Sequence, residues 1–255
     1  MKVVILAGGY GTRLSEETEV LPKPMIEVGG RPLLWHLMKI FSAQGHDDFI
    51  IALGYKGEVI KRYFMQYPQT EADLLVDLAA GTCTATCPCA ERWRIELKDT
   101  GAHTMTGGRL KRLAGRLTST FFFTYGDGLS NVNLAELLAF HRSHGGLATI
   151  TAVSPPYRFG MLHLEGSRVV AFSEKPAGAD HIINGGFFVL EPEVLDYIDG
   201  DDTSWELAPC QRLAAAGQLF AFRHHGYWQC VDTLHELRTL RNTWNAGHAP
   251  WKLWD

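Results

Sequence analysis

The sequence predicts an α/β domain built on a mostly parallel sheet flanked by helices. Three observations lead there. A short β-branched run, Val3-Val4-Ile5-Leu6, ends abruptly in glycines. Strand-like and helix-like segments then alternate, the order that right-handed crossovers turn into parallel pairing. A second apolar run, Thr120-Phe121-Phe122-Phe123-Thr124-Tyr125, also ends in a turn, Gly126-Asp127-Gly128. Open α/β sheets bind ligands in the crevice outside the carboxyl ends of their strands, so both turns are candidate site positions.

The first run leads into Leu6-Ala7-Gly8-Gly9-Tyr10-Gly11-Thr12-Arg13-Leu14. Glycines where a strand must end let a ligand approach bare main chain. Rows of free N–H groups in such a loop make an anion-binding concavity. Arg13 adds a planar cation matched to phosphate oxygens. Lys23 follows between Pro22 and Pro24, which hold the local backbone extended. Taken alone, the loop is equally a glycine turn with solvated charges; the combination within one segment favours a polyphosphate site. A P-loop is excluded, because no Gly-Lys-Ser/Thr follows. A dinucleotide fingerprint would align Gly9 and Gly11 but meets Leu14 at its third glycine.

The chain has 255 residues, of which 46% are hydrophobic, enough to bury a sizeable core without covalent staples. One domain is expected, with about residues 1–150 forming one part, which holds the phosphate-binding loop, and about 151–255 a second part with the C-terminal helices. The net charge of −4 gives no global basic field for nucleic acid, so phosphate binding must be local. The N-terminal apolar run breaks at Gly8, unlike a signal peptide, and no stretch is apolar enough to span a bilayer. A cytoplasmic location without membrane contact is expected. Five cysteines show no disulfide spacing. Cys83, Cys87 and Cys89 cluster around Pro88, but paired zinc knuckles are absent and His103 is the nearest histidine. A reduced, partly exposed loop or hairpin is expected there.

In chain order, Pro32–Phe41 has helical spacing with His36 as a packing residue, and Phe49–Leu53 reads as a strand. Glu58–Tyr67 reads as a helix and Trp93–Leu97 as a strand. Thr100 to Leu113 carries paired glycines and threonines before a basic helix start, suited to a loop pressed on a flat ligand or to a plain glycine-rich connection. Asn133 caps a helix over Leu134–His144. Ala148–Val153 is a buried strand, and Met161–Leu164 with Val169–Phe172 read as antiparallel strands of a smaller lobe. Ile182–Leu190 holds an amide and two glycines beside another apolar strand. Asp199-Gly200-Asp201-Asp202 reads as a solvated turn, Trp205–Ala216 as a helix and Phe220–His224 as an outer strand. Asp232 precedes a helix over Leu234–Ala246 and suits a plain N-cap. The aromatic tail Pro250–Trp254 is expected to dock on the core or on a neighbouring subunit.

The glycine loop, together with Lys23-Pro24-Met25-Ile26-Glu27-Val28-Gly29-Gly30-Arg31-Pro32-Leu33, resembles the signature of sugar-1-phosphate nucleotidylyltransferases. Thr106-Gly107-Gly108-Arg109-Leu110-Lys111-Arg112 resembles the cytidylyl-transferring branch, the glucose-1-phosphate cytidylyltransferases. The resemblance covers nearly the whole chain. It implies a Rossmann-like fold of the nucleotide-diphospho-sugar transferase type with a small antiparallel sugar-side lobe. It also implies CTP and glucose 1-phosphate as substrates, Mg²⁺ as cofactor and a homo-oligomer.

By the same resemblance, the nucleotide meets Leu6, Ala7, Gly8, Gly9, Gly11, Thr12, Arg13, Lys23, Thr104, Thr106, Gly107, Gly108, Arg109 and Gly126. Arg13 and Lys23 are the catalytic cations. Arg109 lies near the phosphates or base. The sugar phosphate meets Tyr125, Glu174, Lys175, Asn184 and Gly185, and Asp127 and Asp232 hold the metal. The chain departs from the family at the Cys83–Cys89 loop, at Met161 and Ser173 where acidic residues are expected, and at Val231. No hexapeptide repeats follow residue 232, so no appended β-helix is implied. A phosphate monoester is already ionised, so the chemistry needs no general base. Threonine hydroxyls serve either pyrimidine, so the base choice rests on the resemblance. The alternatives are a related transferase using UTP, dTTP or another sugar, a nicotinamide-dependent oxidoreductase, and a non-catalytic nucleotide sensor.

Overall fold

The computed structural model describes residues 1–10, 21–86, 91–155, 161–173 and 182–254. Its first part alternates as the sequence predicts: β1 (Lys2–Ala7), α1 (Leu33–Ser42), β2 (Asp48–Leu53), α2 (Gly57–Thr70) and β3 (Arg94–Asp99). Then come α3 (Thr106–Lys111), β4 (Phe121–Tyr125), α4 (Leu134–His144) and β5 (Ala148–Val153). The last part holds β6 (Ile183–Asn184), β7 (Phe188–Leu190), α5 (Ala208–Ala215), β8 (Leu219–His224) and α6 (Leu234–Asn245).

β3, β2, β1 and β4 lie side by side and parallel. β7 joins β4 antiparallel and carries the sheet on to β5. β8 runs parallel along the other edge of β5. β6 and β7 share one edge of β5, interrupted at Gly185-Gly186-Phe187, where Gly186 (φ +72°) and Phe187 (φ +47°) turn left-handed. One sheet therefore crosses both halves of the chain.

Both faces of the central strands β1, β2 and β4 are buried, which is why they read as nearly continuous apolar runs. Val3 and Ile5 point into one core with Leu37 and Phe41 of α1 and Leu237 and Leu240 of α6. Val4 and Leu6 point into the other with Leu110 of α3, Leu213 of α5 and Trp205. His36 sits in the first core as a packing residue. Its Nε2 lies 2.8 Å from Val28 O, and burial pushes its pKa down to about 4. The tail docks on this chain's own core: Trp251 is fully buried, stacks on Tyr227 and donates from Nε1 to His36 Nδ1.

Asn133 caps α4 as expected, accepting from the backbone of Ala135 and Glu136. Met161–Glu165 and Arg168–Ser173 pair antiparallel apart from the main sheet. The turn at residues 199–202 is exposed and held by ion pairs from Arg212 to Asp199 and from Arg112 to Asp201. Two expectations need correction. α5 begins at Ala208 rather than Trp205, because Pro209 belongs in a helix's first turn. The paired glycines 107 and 108 stand inside α3, not in a loop. Among the described residues, no helix is long and apolar enough to cross a membrane.

Candidate active site

β1 and β4 are adjacent and parallel, with Leu6 opposite Tyr125, so the glycine loop and the Gly126-Asp127 turn leave the sheet together. Gly126 is needed there: a Cβ would lie 2.7 Å from Leu6 O and 2.9 Å from Pro24. The two turns open on a cavity of about 330 Å³. Leu6, Ala7 and Gly9 form one wall and Tyr125, Gly126 and Asp127 another. Lys23, Thr106 and Asp232 complete it. Gly8 lies behind the wall, buried, with its carbonyl accepting from Tyr55 N at 3.1 Å.

Asp127 and Asp232 come together through a short ladder. Gly128–Ser130 pairs antiparallel with Trp228–Cys230, and Val231 N donates to Asp127 O at 3.0 Å. Asp232 is not the helix cap. Thr233 caps α6 through a reciprocal capping box with Glu236, which also accepts from Asp232 N at 2.7 Å. The Asp232 carboxylate is thereby left to face the cavity. Lys23, in the single turn Lys23–Met25, reaches both acids: its Nζ lies 2.5 Å from Asp127 Oδ2 and 2.8 Å from Asp232 Oδ1. Burial alone would lower the Lys23 pKa, but attraction and hydrogen bonding from Asp127 and then Asp232 outweigh it and hold the ammonium above the usual lysine range.

Arg109 stands behind the glycine loop. Its side chain is buried, and Nη2 donates to Gly8 O at 2.9 Å. Nη1 donates to Leu53 O at 3.0 Å, Thr100 Oγ1 at 2.8 Å and Gly101 O at 2.7 Å. It thus ties the ends of β1, β2 and β3 together. A Cβ on Gly8 would lie 2.4 Å from Arg109 Cζ, so that glycine makes room for the guanidinium. Gly107 and Gly108 have a similar reason. A Cβ on them would lie 2.7 Å from Thr203 O and 2.5 Å from Asp201 O, so backbone packing, not a flat ligand, requires these glycines. Thr104 is buried beside them.

Of the residues expected to meet the sugar phosphate, Asn184 donates from Nδ2 to the Tyr125 hydroxyl at 3.3 Å. Gly185 O accepts from Trp228 Nε1 at 2.7 Å, which ties this segment to the Asp232 strand. Sequence reasoning missed Glu206, whose Oε2 accepts from Thr106 Oγ1 at 2.7 Å. Nothing in the sequence but its place after buried Trp205 pointed to it. Gly11, Thr12, Arg13, Glu174, Lys175, Cys87 and Cys89 lie outside the described residues. Cys83 sits exposed in the hairpin of Leu74–Asp77 and Thr82–Ala85. His103 pairs with the Tyr10 hydroxyl at 2.8 Å. Among the described residues, no cluster of three His, Cys, Asp or Glu could hold a metal.

Known proteins resemble this chain along nearly its whole length. The nucleotidyl transferase family model matches residues 2–244. The chain is 50% identical, over an alignment of 257 positions that covers both proteins in full, to glucose-1-phosphate cytidylyltransferase of Salmonella typhi. It is 43% identical, again over both full lengths, to a probable glucose-1-phosphate cytidylyltransferase of Bacillus subtilis. Among solved structures, UDP-glucose pyrophosphorylase from Acinetobacter baumanii matches with a TM-score of 0.69 at 17% identity, over 99% of this chain and 95% of that one. HddC from Yersinia pseudotuberculosis matches with a TM-score of 0.66 at 24% identity, over 95% and 99%. These two likenesses establish the mixed α/β fold. The chain belongs to the nucleotidyl transferase family, among its glucose-1-phosphate cytidylyltransferases.

Proposed function

We propose that this cleft transfers a cytidylyl group from CTP to α-D-glucose 1-phosphate, giving CDP-glucose and pyrophosphate. The observation that carries the reading is Lys23, held between two converging carboxylates at the mouth of the glycine loop. The full-length likeness to the Salmonella and Bacillus enzymes supports the substrates.

A phosphate oxygen of the sugar attacks the α-phosphorus of CTP. The bond to the β-phosphate oxygen breaks, and pyrophosphate leaves with the electron pair. Both reactants are anionic, so the protein's work is charge neutralisation and in-line alignment. The glycine loop and Arg13 hold the triphosphate, and Lys23 serves the α-phosphate and the leaving group. Lys175 serves the incoming sugar phosphate, beside Glu174, Tyr125, Asn184 and Gly185. Arg109 braces the loop from behind.

Asp127 and Asp232 suit Mg²⁺, which takes one or two carboxylates and completes its shell with phosphate and water. Their fit rests on geometry: both acids already converge on one cation, the Lys23 ammonium. Mg²⁺ bound there supplies neutralisation of the charge on the phosphates. The test is pyrophosphate release across CTP, UTP, dTTP and GTP with several sugar 1-phosphates. CTP with glucose 1-phosphate should turn over best; a clear preference for dTTP or UTP overturns the assignment.

A further inference from the structure

Glu206 is exposed and is not part of the cavity lining, but its carboxylate reaches a residue that is. Its backbone is fixed, since Trp205 is fully buried against Phe123 and Phe188. The preceding residues are bonded to α3, with Gly108 N donating to Thr203 O at 3.1 Å and Met105 N to Asp201 O at 2.8 Å. From this anchored position Glu206 Oε2 accepts the hydrogen of Thr106 Oγ1 at 2.7 Å, and Thr106 lines the cavity.

Hydrogen counting then fixes the polarity of Thr106. A hydroxyl has one hydrogen and two lone pairs, and a carboxylate can only accept. The hydrogen must go to Glu206. One lone pair takes the Trp205 backbone N–H at 2.9 Å. Only the second lone pair remains for a ligand, so Thr106 cannot donate into the cavity. Tyr125, which also lines the cavity, is held nearby. Gly186 N donates to Asn184 Oδ1 at 2.8 Å, which orients that amide so that Nδ2 donates to the Tyr125 hydroxyl. Burial first, and then the nearby Glu206 carboxylate, hold the Tyr125 hydroxyl well above the usual tyrosine range.

We infer that Glu206 is a positioning residue for base selection: by holding the Thr106 hydrogen it leaves an acceptor only, which favours a base edge bearing an amine over one bearing a carbonyl. Cytosine carries an amino group where uracil and thymine carry a carbonyl oxygen. A carbonyl set against a lone pair leaves two acceptors facing each other, and such mismatches discriminate. The inference rests on the reading that the base lies against Thr106, and it names the device that the threonine alone does not supply. Glu206→Gln tests it, because a glutamine amide can donate to Thr106 and release the hydroxyl hydrogen toward the cavity.

The measurement is direct competition of CTP and UTP for glucose 1-phosphate, read as the ratio of their kcat/KM values. A general loss of structure lowers both values together and leaves the ratio alone. The ratio should fall by about tenfold or more in Glu206→Gln, equivalent to the loss of one discriminating hydrogen bond. Thr106→Val, which has no hydroxyl, should show a comparable fall even if the Gln variant folds poorly. The double variant should fall no further than either single one. A wild-type preference for UTP or dTTP overturns the cytidylyl reading and this one with it. A wild-type preference for CTP that persists in both single variants overturns only the role given to Glu206.

Discussion

Asp127 and Asp232 share one cation, the Lys23 ammonium, which lies 2.5 Å from the first carboxylate and 2.8 Å from the second. The backbone of Asp127 accepts from Val231 N, so the two acids are aligned by main-chain bonds rather than by their side chains. Thr233 caps α6, which separates the role of Asp232 from the stability of the helix.

That separation makes Asp232→Asn informative. The capping box survives, so the unfolding temperature should stay within a few degrees of wild type, a shift worth about 1 kcal/mol. Pyrophosphate release should fall by roughly a hundredfold or more, as loss of a positioned charge in a site does. Asp127→Asn should behave alike. Wild-type turnover at ordinary Mg²⁺ in either variant would remove that residue from the metal site.

Lys23→Met should have opposite effects on metal binding and on turnover. Without the ammonium, the two acids lose the cation they share. Mn²⁺ binding to the nucleotide-free protein, followed by electron paramagnetic resonance, should tighten on the order of tenfold or more. Turnover should fall by roughly a hundredfold. Unchanged Mn²⁺ affinity would mean that Lys23 does not compete for the carboxylates.

Arg109→Lys should act as a structural lesion that reaches the nucleotide. A point ammonium cannot reproduce the fork that holds Gly8 O, Leu53 O and Gly101 O. Gly8 O and Leu53 O keep their backbone donors, Tyr55 N and Thr100 N, but each loses a hydrogen bond to a charged group, worth about 1.5–3 kcal/mol. Urea unfolding should show a loss of about 2 kcal/mol or more, and the KM for CTP should rise because the loop is no longer braced. A KM unchanged alongside lowered stability would detach the brace from nucleotide binding.

His36 predicts acid sensitivity. Burial lowers its pKa from 6.5 to about 4, so the folded state resists a proton that the unfolded chain binds. Its contribution is present in full above about pH 6.5 and is lost as pH falls toward about 4. At 1.36 kcal/mol per pH unit this amounts to about 3 kcal/mol. His36→Gln keeps a side-chain donor for Val28 O but does not titrate, so its urea midpoint should change less between pH 7 and pH 4.5. Parallel losses in both proteins would show that other groups carry the acid response.

Most of the fold was legible because the central strands are buried on both faces. Val3–Leu6, Phe49–Leu53 and Phe121–Phe123 are apolar at every position, and such runs stand out. Helix starts were less legible where a buried aromatic residue preceded the helix: Trp205 carries a helix-like pattern, yet its ring fills the core before Pro209 starts α5. The glycines at 107 and 108 read as a ligand loop because a sequence shows that a side chain is missing but not what lies in its place. Only the packing of α3 on the backbone of residues 201–205 reveals the reason.

The sequence by itself determined the alternating α/β order, the glycine turn after β1 and the acid after β4. Local patterns suffice for these, since strand runs and turn residues act over a few neighbours. Tertiary structure alone decided that Lys23 lies between Asp127 and Asp232, that Arg109 braces the loop and that Glu206 takes the hydrogen of Thr106. Those contacts join residues from about a hundred to two hundred positions apart, and their partners are set by strand register and backbone packing. Hydrogen-bond direction is likewise a property of the assembled neighbours: the Thr106 hydroxyl becomes an acceptor only once Trp205 N–H and the Glu206 carboxylate are both in place.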